Sequence, residues 1–152
     1  MAENKILVVE DEMIISMELS HRLRRSGFDV VATAASGEDA IKKALELSPD
    51  LILMDIHIAG EIDGIQTAEL IHSKEDIPII YLTAFSDEKT LDRAKLTEPY
   101  GFLIKPFEQR ELETTIEVAL YKRSVELKQK ENEYWLEATL KNINDGIITT
   151  DN

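Results

Sequence analysis

The stretch Leu51-Ile52-Leu53-Met54-Asp55 places four consecutive apolar residues directly before an acidic one. It lies between Pro49 and Gly60, and a short apolar run bounded in this way predicts a strand that is buried on both faces. A carboxylate at the end of such a strand lies at the carboxyl edge of the sheet, where α/β proteins bind their ligands. Taken alone, an aspartate in this position more often begins a solvated loop. The rest of the chain decides whether Asp55 is alone.

The composition indicates a globular chain of one domain with some excess length. The 152 residues are 43% hydrophobic and 31% charged, with a formal net charge of -13. This excess of acids argues against direct nucleic-acid binding, which needs a basic face. The one basic run, Arg22 to Arg25, is expected to form the solvated end of a helix. The chain has no cysteine, so we expect neither disulfides nor thiolate metal sites.

Nothing in the sequence indicates export or membrane insertion. Residues 1–5 lack a basic leader followed by a long apolar stretch, so no signal peptide is expected. No apolar run approaches the ~20 residues that cross a bilayer. We therefore expect a cytoplasmic protein without a membrane span.

Strand-like and helix-like segments alternate along the chain. Strands are predicted at short apolar or β-branched runs, which lie at 5–9, 28–35, 51–55, 77–82 and 102–104. Helices are predicted where apolar residues recur at helical spacing, at about 13–26, 36–48, 64–73 and 86–96, and from 108 onward. This alternation predicts an α/β fold with a doubly wound, five-stranded parallel sheet and helices on both faces.

Polar residues follow four of the five predicted strands, and right-handed crossovers bring those strand ends to the same edge of the sheet. They are Glu10, Asp11, Asp55, Thr83 and Lys105. Clustered carboxylates repel one another unless a cation neutralises them, and carboxylates with a phosphate suit Mg²⁺. A lysine and a threonine hydroxyl can bind phosphoryl oxygens. The set predicts a nucleophilic aspartate that accepts a phosphoryl group with Mg²⁺.

These residues, on these strands and in this order, resemble the receiver domain of two-component response regulators over about residues 4–122. The resemblance implies a flavodoxin-like sheet of strand order 2-1-3-4-5. It also implies that a histidine kinase or a phosphotransfer protein supplies the phosphoryl group. The domain would then be a regulatory phosphoacceptor and not an enzyme, since it catalyses only its own phosphorylation and dephosphorylation.

The resemblance assigns a role to each site residue. It makes Asp55 the phosphoacceptor. It implies that Mg²⁺ is bound directly by Asp11 and Asp55, through water by Glu10, and by the backbone carbonyl of His57. As a side chain, His57 is expected to be an exposed loop histidine.

The remaining roles concern the response to phosphorylation. By the same resemblance, the Thr83 hydroxyl moves onto the phosphoryl group, Lys105 pairs with it, and Phe102 is an aromatic switch residue. The surface expected to change is the one formed by the fourth helix, the fifth strand and the fifth helix. The Lys105-Pro106 bond is usually cis in this family.

Two features depart from the common family pattern. The loop 56–62, before Asp63 and Gly64, is about one residue longer than usual and has no proline, which leaves its conformation open. Phe85 occupies a position, two residues after Thr83, that flanks the path of attacking water in this family. Because its bulky apolar ring cannot orient water, we expect Phe85 to shield the acyl phosphate and slow its hydrolysis.

The C-terminal part extends beyond the resemblance. Helical patterning continues without Gly or Pro to about Lys141, so residues 123–141 are predicted to be an extended helical linker. Its broken apolar stripe moderately favours a parallel coiled coil, and hence a homodimer, over a solvated monomeric helix. Residues 142–152 contain Asp-Gly followed by β-branched residues and resemble the start of a truncated PAS-like domain.

Two other functions would use part of the same pattern. An Mg²⁺-dependent aspartyl-phosphate phosphatase of haloacid dehalogenase type also uses a strand-end aspartate, but that family requires a second aspartate where this chain has His57. A flavodoxin-like FMN binder needs a phosphate cradle after the first strand, where Glu10, Asp11 and Glu12 would repel a phosphate. The phosphatase is the stronger of the two alternatives.

Overall fold

The computed structural model describes residues 4–84 and 88–146, with side chains up to residue 129. In order, the elements are β1 Lys5–Val9, α1 Met13–Arg25, β2 Asp29–Ala34, α2 Gly37–Leu47, β3 Leu51–Asp55, α3 Gly64–His72, β4 Ile79–Ala84, α4 Glu88–Lys95, β5 Gly101–Lys105 and α5 Gln109–Gly146. All paired strands are parallel, in the order β2-β1-β3-β4-β5. The predicted flavodoxin-like sheet with an extended C-terminal helix is confirmed.

Strand β3 forms the centre of the sheet. Each of its residues is buried, because it pairs with β1 on one side and β4 on the other. Successive side chains point to opposite faces, so Ile52 and Met54 pack in one core while Leu51 and Leu53 pack in the other. The uninterrupted apolar run of the sequence is explained by this burial on both faces.

The two cores have different helical covers. One core includes apolar residues of α2 and α3 together with Ala94 of α4. The other includes residues of α1 and of the first turns of α5, among them the fully buried Leu23 and Leu112. Burial of these helical stripes against a central sheet supplies the main driving force for folding.

Strand β4 is displaced along the chain from its predicted span of 77–82. Pro78 has no N–H to donate to a ladder, although its carbonyl accepts the N–H of Ile52 at 2.9 Å. The strand therefore begins at Ile79 and extends through Thr83 to Ala84. As a result, Thr83 lies within the strand, and the sheet fixes its backbone.

The start of α3 closes the loop that follows β3. Asp63 caps the helix: its carboxylate accepts the N–H of Gln66, and the Gln66 side chain accepts the N–H of Asp63, a capping box. The N–H of Gly64 donates to the carbonyl of Ile56 at 2.8 Å. A Cβ at Gly64 would overlap the carbonyl oxygen of Asp55. The loop 56–62 has no proline, but its end is fixed by the Asp63 cap and by the packing of Gly64 against the backbone of Asp55.

The C-terminal residues form a separate compact unit. The chain divides into Met1–Leu120 and Tyr121–Asn152. Helix α5 continues to Gly146, so residues 142–146, expected to open a PAS-like domain, are helical. Residues 147–152 lie outside the described part, as do Phe85 and the helix cap expected at 86–87. The boundaries at 122 and 141 stay predictions.

The described helices also bear on membrane insertion. None of them has a stretch both long and apolar enough to cross a bilayer.

The close approach at Gly64 gives a stability prediction. We expect Gly64→Ala to lower the free energy of unfolding by about 2 kcal/mol, because the new methyl group overlaps backbone atoms that cannot move independently of β3. Gly101→Ala is the matched control, since its Cβ would meet the nearest atom, Cγ2 of Thr115, at an ordinary 3.4 Å. Urea unfolding measures both; equal stabilities would contradict the packing argument.

Candidate functional site

Four strand ends converge at the carboxyl edge of the sheet. The register places Asp55 of β3 beside Leu82 of β4, and Lys105 of β5 beside Ala84 of β4. Glu10 follows directly after β1. The predicted convergence of polar strand ends is therefore present in the structure.

Asp55 is a buried carboxylate with both oxygens engaged. It is 4% exposed. Its Oδ2 accepts a hydrogen bond from Nζ of Lys105 at 2.6 Å, and its Oδ1 accepts the backbone N–H of His57 at 3.0 Å. The ion pair and the turn after β3 together hold the carboxylate in one orientation.

Glu10 is the second buried acid of the site, at 3% exposure. Its Oε1 accepts the N–H of Glu12 at 3.1 Å, and its Oε2 lies 3.5 Å from Nζ of Lys105. This Oε2 is buried and has no hydrogen-bond partner among the described residues. Burial, and after it the neighbouring Asp55 carboxylate, raises the pKa of Glu10 to about 8 against the opposing effect of the Glu12 N–H.

Lys105 links the two acids. Burial on its own would lower the pKa of this lysine, but the hydrogen bond and charge of Asp55, with those of Glu10, outweigh it and raise the pKa. The ammonium is therefore kept charged beside Asp55. The Lys105-Pro106 peptide bond is cis, as the family resemblance implies.

Thr83 and Phe102 lie on the neighbouring strands β4 and β5. Thr83 is 1% exposed, and its hydroxyl makes a 3.4 Å hydrogen bond to the carbonyl of Ala84. Phe102 is half-buried and packs against Tyr81 with ring centroids 5.9 Å apart. Thr83 thus belongs to the edge that carries Asp55, while Phe102 contacts the core beneath α4.

The oxygen atoms of the site fit a hard divalent cation in part. In the described part of the chain, no three acidic, histidine or cysteine side chains are grouped closely enough to hold a metal by themselves. Asp11 is exposed, and Lys105 occupies the space between Glu10 and Asp55. Mg²⁺ is nevertheless commonly bound by one or two carboxylates and several waters. The buried Oε2 of Glu10 is ion-paired with Lys105 but has no hydrogen-bond partner among the described residues, so a water could still donate to it.

One contact of strand β4 was not expected from the sequence. The hydroxyl of the fully buried Tyr81 lies 2.7 Å from Oγ1 of Thr97, just after α4, and burial raises the pKa of Tyr81 to about 12. A tyrosine in an apolar strand is a signal that its hydroxyl needs a partner.

The burial of Arg22 on α1 also differs from the sequence prediction, because this side chain is half-buried. The predicted solvated end therefore holds for the exposed Arg24 and Arg25 but not for Arg22.

The raised pKa of Glu10 gives a pH prediction for the metal-free protein. The folded chain keeps this proton up to about pH 8, whereas an unfolded chain loses it near the ordinary pKa of 4.5. The folded state binds more protons between these limits, so this group makes the protein less stable as pH rises through them. We expect Glu10→Gln to flatten that decline, because glutamine takes up and releases no proton in this range.

Urea unfolding across this pH range in the presence of a chelator measures the effect. Glu18→Gln is the control, because Glu18 is exposed on α1. Parallel stability curves for the Glu10→Gln variant and the native protein would refute the prediction.

Comparison with curated proteins identifies several relatives among response regulators. The chain is 38% identical to the transcriptional regulatory protein PdtaR of Mycobacterium tuberculosis over 116 residues, which cover 76% of this chain and 56% of the relative. It is 39% identical to the alkaline phosphatase synthesis transcriptional regulatory protein PhoP of Bacillus subtilis over 124 residues, covering 80% and 50% of the two chains. The chain thus spans about half the length of these curated relatives.

Solved structures agree with this relationship. The signal receiver domain of a modulated diguanylate cyclase from Desulfovibrio desulfuricans G20 is 35% identical, with a TM-score of 0.77 over 82% of this chain and 99% of that one. The N-terminal domain of a response regulator/sensory box/GGDEF 3-domain protein from Carboxydothermus hydrogenoformans is 32% identical, with a TM-score of 0.75 over 81% and 98%.

The family assignment rests on most of the chain and agrees with the site geometry. The sequence matches the response regulator receiver domain over residues 6–117, a segment that includes nearly all of the sheet and the site residues from Glu10 to Lys105. The protein belongs to the response regulator receiver domain family.

Proposed function

We propose that the chain is the phosphoacceptor of a two-component phosphorelay, with Asp55 taking a phosphoryl group from a histidine kinase or a phosphotransfer protein. One observation carries the proposal. Asp55 is buried at the carboxyl edge of the sheet with the Lys105 ammonium 2.6 Å from its Oδ2. A structural ion pair alone would not require a hydroxyl and a second buried acid at the same edge, and both are present in Thr83 and Glu10.

The transfer is a displacement at phosphorus. An oxygen of the Asp55 carboxylate attacks the phosphorus of the donor phosphohistidine and forms a P–O bond. The P–N bond breaks, its electron pair passes to the imidazole nitrogen, and that nitrogen takes a proton from solvent. The products are an aspartyl phosphate and a histidine. Lys105, already beside Asp55, would then pair with an oxygen of the transferred group.

Magnesium is the proposed cofactor. Asp11 and Asp55 would bind it directly, Glu10 through water, and His57 through its backbone carbonyl. When bound, Mg²⁺ would supply positive charge that offsets the charge developing on the phosphoryl group. The hard oxygen donors support this assignment, as does the Oε2 of Glu10, which has no hydrogen-bond partner among the described residues.

Phosphorylation is proposed to change a surface and not to start a turnover cycle. The Thr83 hydroxyl is weakly held at 3.4 Å from a neighbouring carbonyl, so little opposes its movement toward a phosphoryl oxygen. Phe102 on the adjacent strand would follow, and the face formed by α4, β5 and α5 would change its preference for partners. A phosphatase of haloacid dehalogenase type is disfavoured because it requires a second aspartate where this chain has His57.

The C-terminal helix and the residues beyond it are proposed to connect the receiver to other parts of a signalling protein. Residues 123–141 would act as a linker, with a PAS-like domain beginning in residues 142–152. A solved relative that is the N-terminal domain of a three-domain protein supports this organisation. We also propose that α5 mediates a homodimer and that the protein acts in the cytoplasm without contacting nucleic acid directly.

The first test uses a phosphoryl mimic. With Mg²⁺ and beryllofluoride, the native protein is expected to bind one mimic per chain and to change its size on a gel-filtration column, whereas Asp55→Asn is expected to do neither. Asp50→Asn is the control, because Asp50 is an exposed acid at the opposite end of β3. Equal responses of the native protein and the Asp55→Asn variant would refute the assignment of Asp55.

The second test concerns the helix. Leu127 lies on the apolar stripe of α5 and is 44% exposed, so Leu127→Glu is expected to weaken a dimer at least about tenfold by placing charge in its seam. Gln129→Glu adds the same charge at a neighbouring exposed position and should leave the dimer intact. Analytical ultracentrifugation measures both; a native chain that is monomeric at all concentrations would exclude this dimer.

A further inference from the structure

Arg22 on α1 makes an unusually complete set of contacts with the segment that follows β5. Its Nη2 donates to the backbone carbonyl of Phe107 at 2.9 Å, and its Nε donates to Oε1 of Gln109 at 3.0 Å. The guanidinium also lies over the Phe107 ring, with Cζ 4.8 Å from the ring centroid. The Arg22 side chain therefore contacts the backbone and ring of Phe107, 85 positions later in the sequence, and the side chain of Gln109, 87 positions later.

The contacts are reciprocal and form a closed network. Nε2 of Gln109 donates to the carbonyl of Arg22 at 2.9 Å and to Oγ of Ser26 at 2.6 Å. The Ser26 hydroxyl in turn donates to Oε2 of Glu113 at 2.5 Å. The second half of α1 is thus tied to the first turn of α5 and to the loop before it. Hydrogen bonds to charged groups in such a partly buried network are stronger than neutral ones.

The segment that Arg22 holds begins directly after the site lysine. Strand β5 ends at Lys105, and α5 begins at Gln109. Glu108 is already held by α5, because its carbonyl accepts the N–H of Leu112 and its N–H donates to the Glu111 carboxylate. Residues 106 and 107 belong to neither the strand nor the helix. Phe107 lies two residues after Lys105 and packs against the core shared by α1 and α5. The contacts of Arg22 with its carbonyl and ring therefore fix the backbone next to the residue whose ammonium must reach Asp55.

We propose that Arg22 is a positioning residue for Lys105: by fixing Phe107 it sets where the lysine ammonium meets Asp55 and the incoming phosphoryl group. The inference rests on the proposed phosphoacceptor function and adds a residue that touches neither phosphoryl group nor metal. A displacement of about 1 Å in a reacting group can cost a large factor in rate. Lysine cannot replace arginine here, because a single ammonium has no planar fork and no flat face to stack on the ring.

A double-mutant cycle distinguishes positioning from plain stabilisation. The variants are Arg22→Met, Lys105→Met and the two combined, and the rate of Asp55 phosphorylation by a small acyl phosphate with Mg²⁺ is measured for each. If Arg22 acts through Lys105, Arg22→Met slows the native protein about tenfold and slows the Lys105→Met protein little further. Equal slowing in both backgrounds, or no slowing at all, would overturn the proposal.

Two further variants keep the test interpretable. Arg24→Met removes an exposed charge from the same helix and should leave the rate unchanged. Arg22→Lys keeps the charge and most of the aliphatic stem, so it is used if Arg22→Met does not fold, and it should also slow phosphorylation. A native-like rate for a folded Arg22→Lys variant would show that the planar fork is not needed and would overturn the proposal.

A direct measurement separates this inference from the phosphoacceptor proposal. The ¹⁵N signal of the Lys105 ammonium, assigned by its loss in Lys105→Met, reports on the ion pair with Asp55 without any phosphoryl transfer. We expect Arg22→Met to shift or broaden this signal and Arg24→Met to leave it unchanged. If the native protein accepts no phosphoryl group, the proposed function fails, and this spectrum alone decides whether Arg22 positions Lys105; an unchanged signal overturns that role.

Discussion

A single ammonium group makes the functional edge of this protein possible. The buried acids Asp55 and Glu10 lie on neighbouring strand ends, and the Lys105 Nζ is 2.6 Å from one and 3.5 Å from the other. Two buried carboxylates without a cation would be strongly destabilising, so either the lysine or a bound cation has to neutralise them. Burial, and after it the neighbouring Asp55, raises the pKa of Glu10 to about 8, so protonation of this acid also reduces the repulsion. Any residue that fixes the position of Lys105 therefore also affects the charge balance of Asp55 and Glu10.

The sequence predicts the strands of the sheet and the polar residues at their carboxyl ends. Apolar runs such as that of β3 are recognisable because a strand buried on both faces shows no alternation, and parallel topology then brings Glu10, Asp55, Thr83 and Lys105 to one edge. It does not predict side-chain direction in loops, so it could not show that Asp11 is exposed while Glu10 beside it is buried. The span of β4 was misjudged because Pro78 shifts the start of its ladder.

The contacts missed from the sequence share a physical reason. The Arg22 network joins positions that are far apart in the chain, and the pair formed by Tyr81 and Thr97 depends on how α4 lies against the sheet. Helical spacing shows which side of a helix is apolar, but it does not reveal which polar side chain at the margin of that side finds a partner. Arg22 differs from the exposed Arg24 only in its place around the helix.

The strand order β2-β1-β3-β4-β5 has a mechanical consequence for signalling. Asp55 belongs to the innermost strand, whose movement would disturb hydrogen bonds on both sides and both cores. Lys105 and Phe102 belong to an outermost strand, which pairs with β4 alone, so a displacement there disturbs one ladder only. If Asp55 accepts a phosphoryl group as proposed, the added charge arrives on a strand with two neighbours, while the strand of Lys105 and Phe102 has only one and costs less to displace.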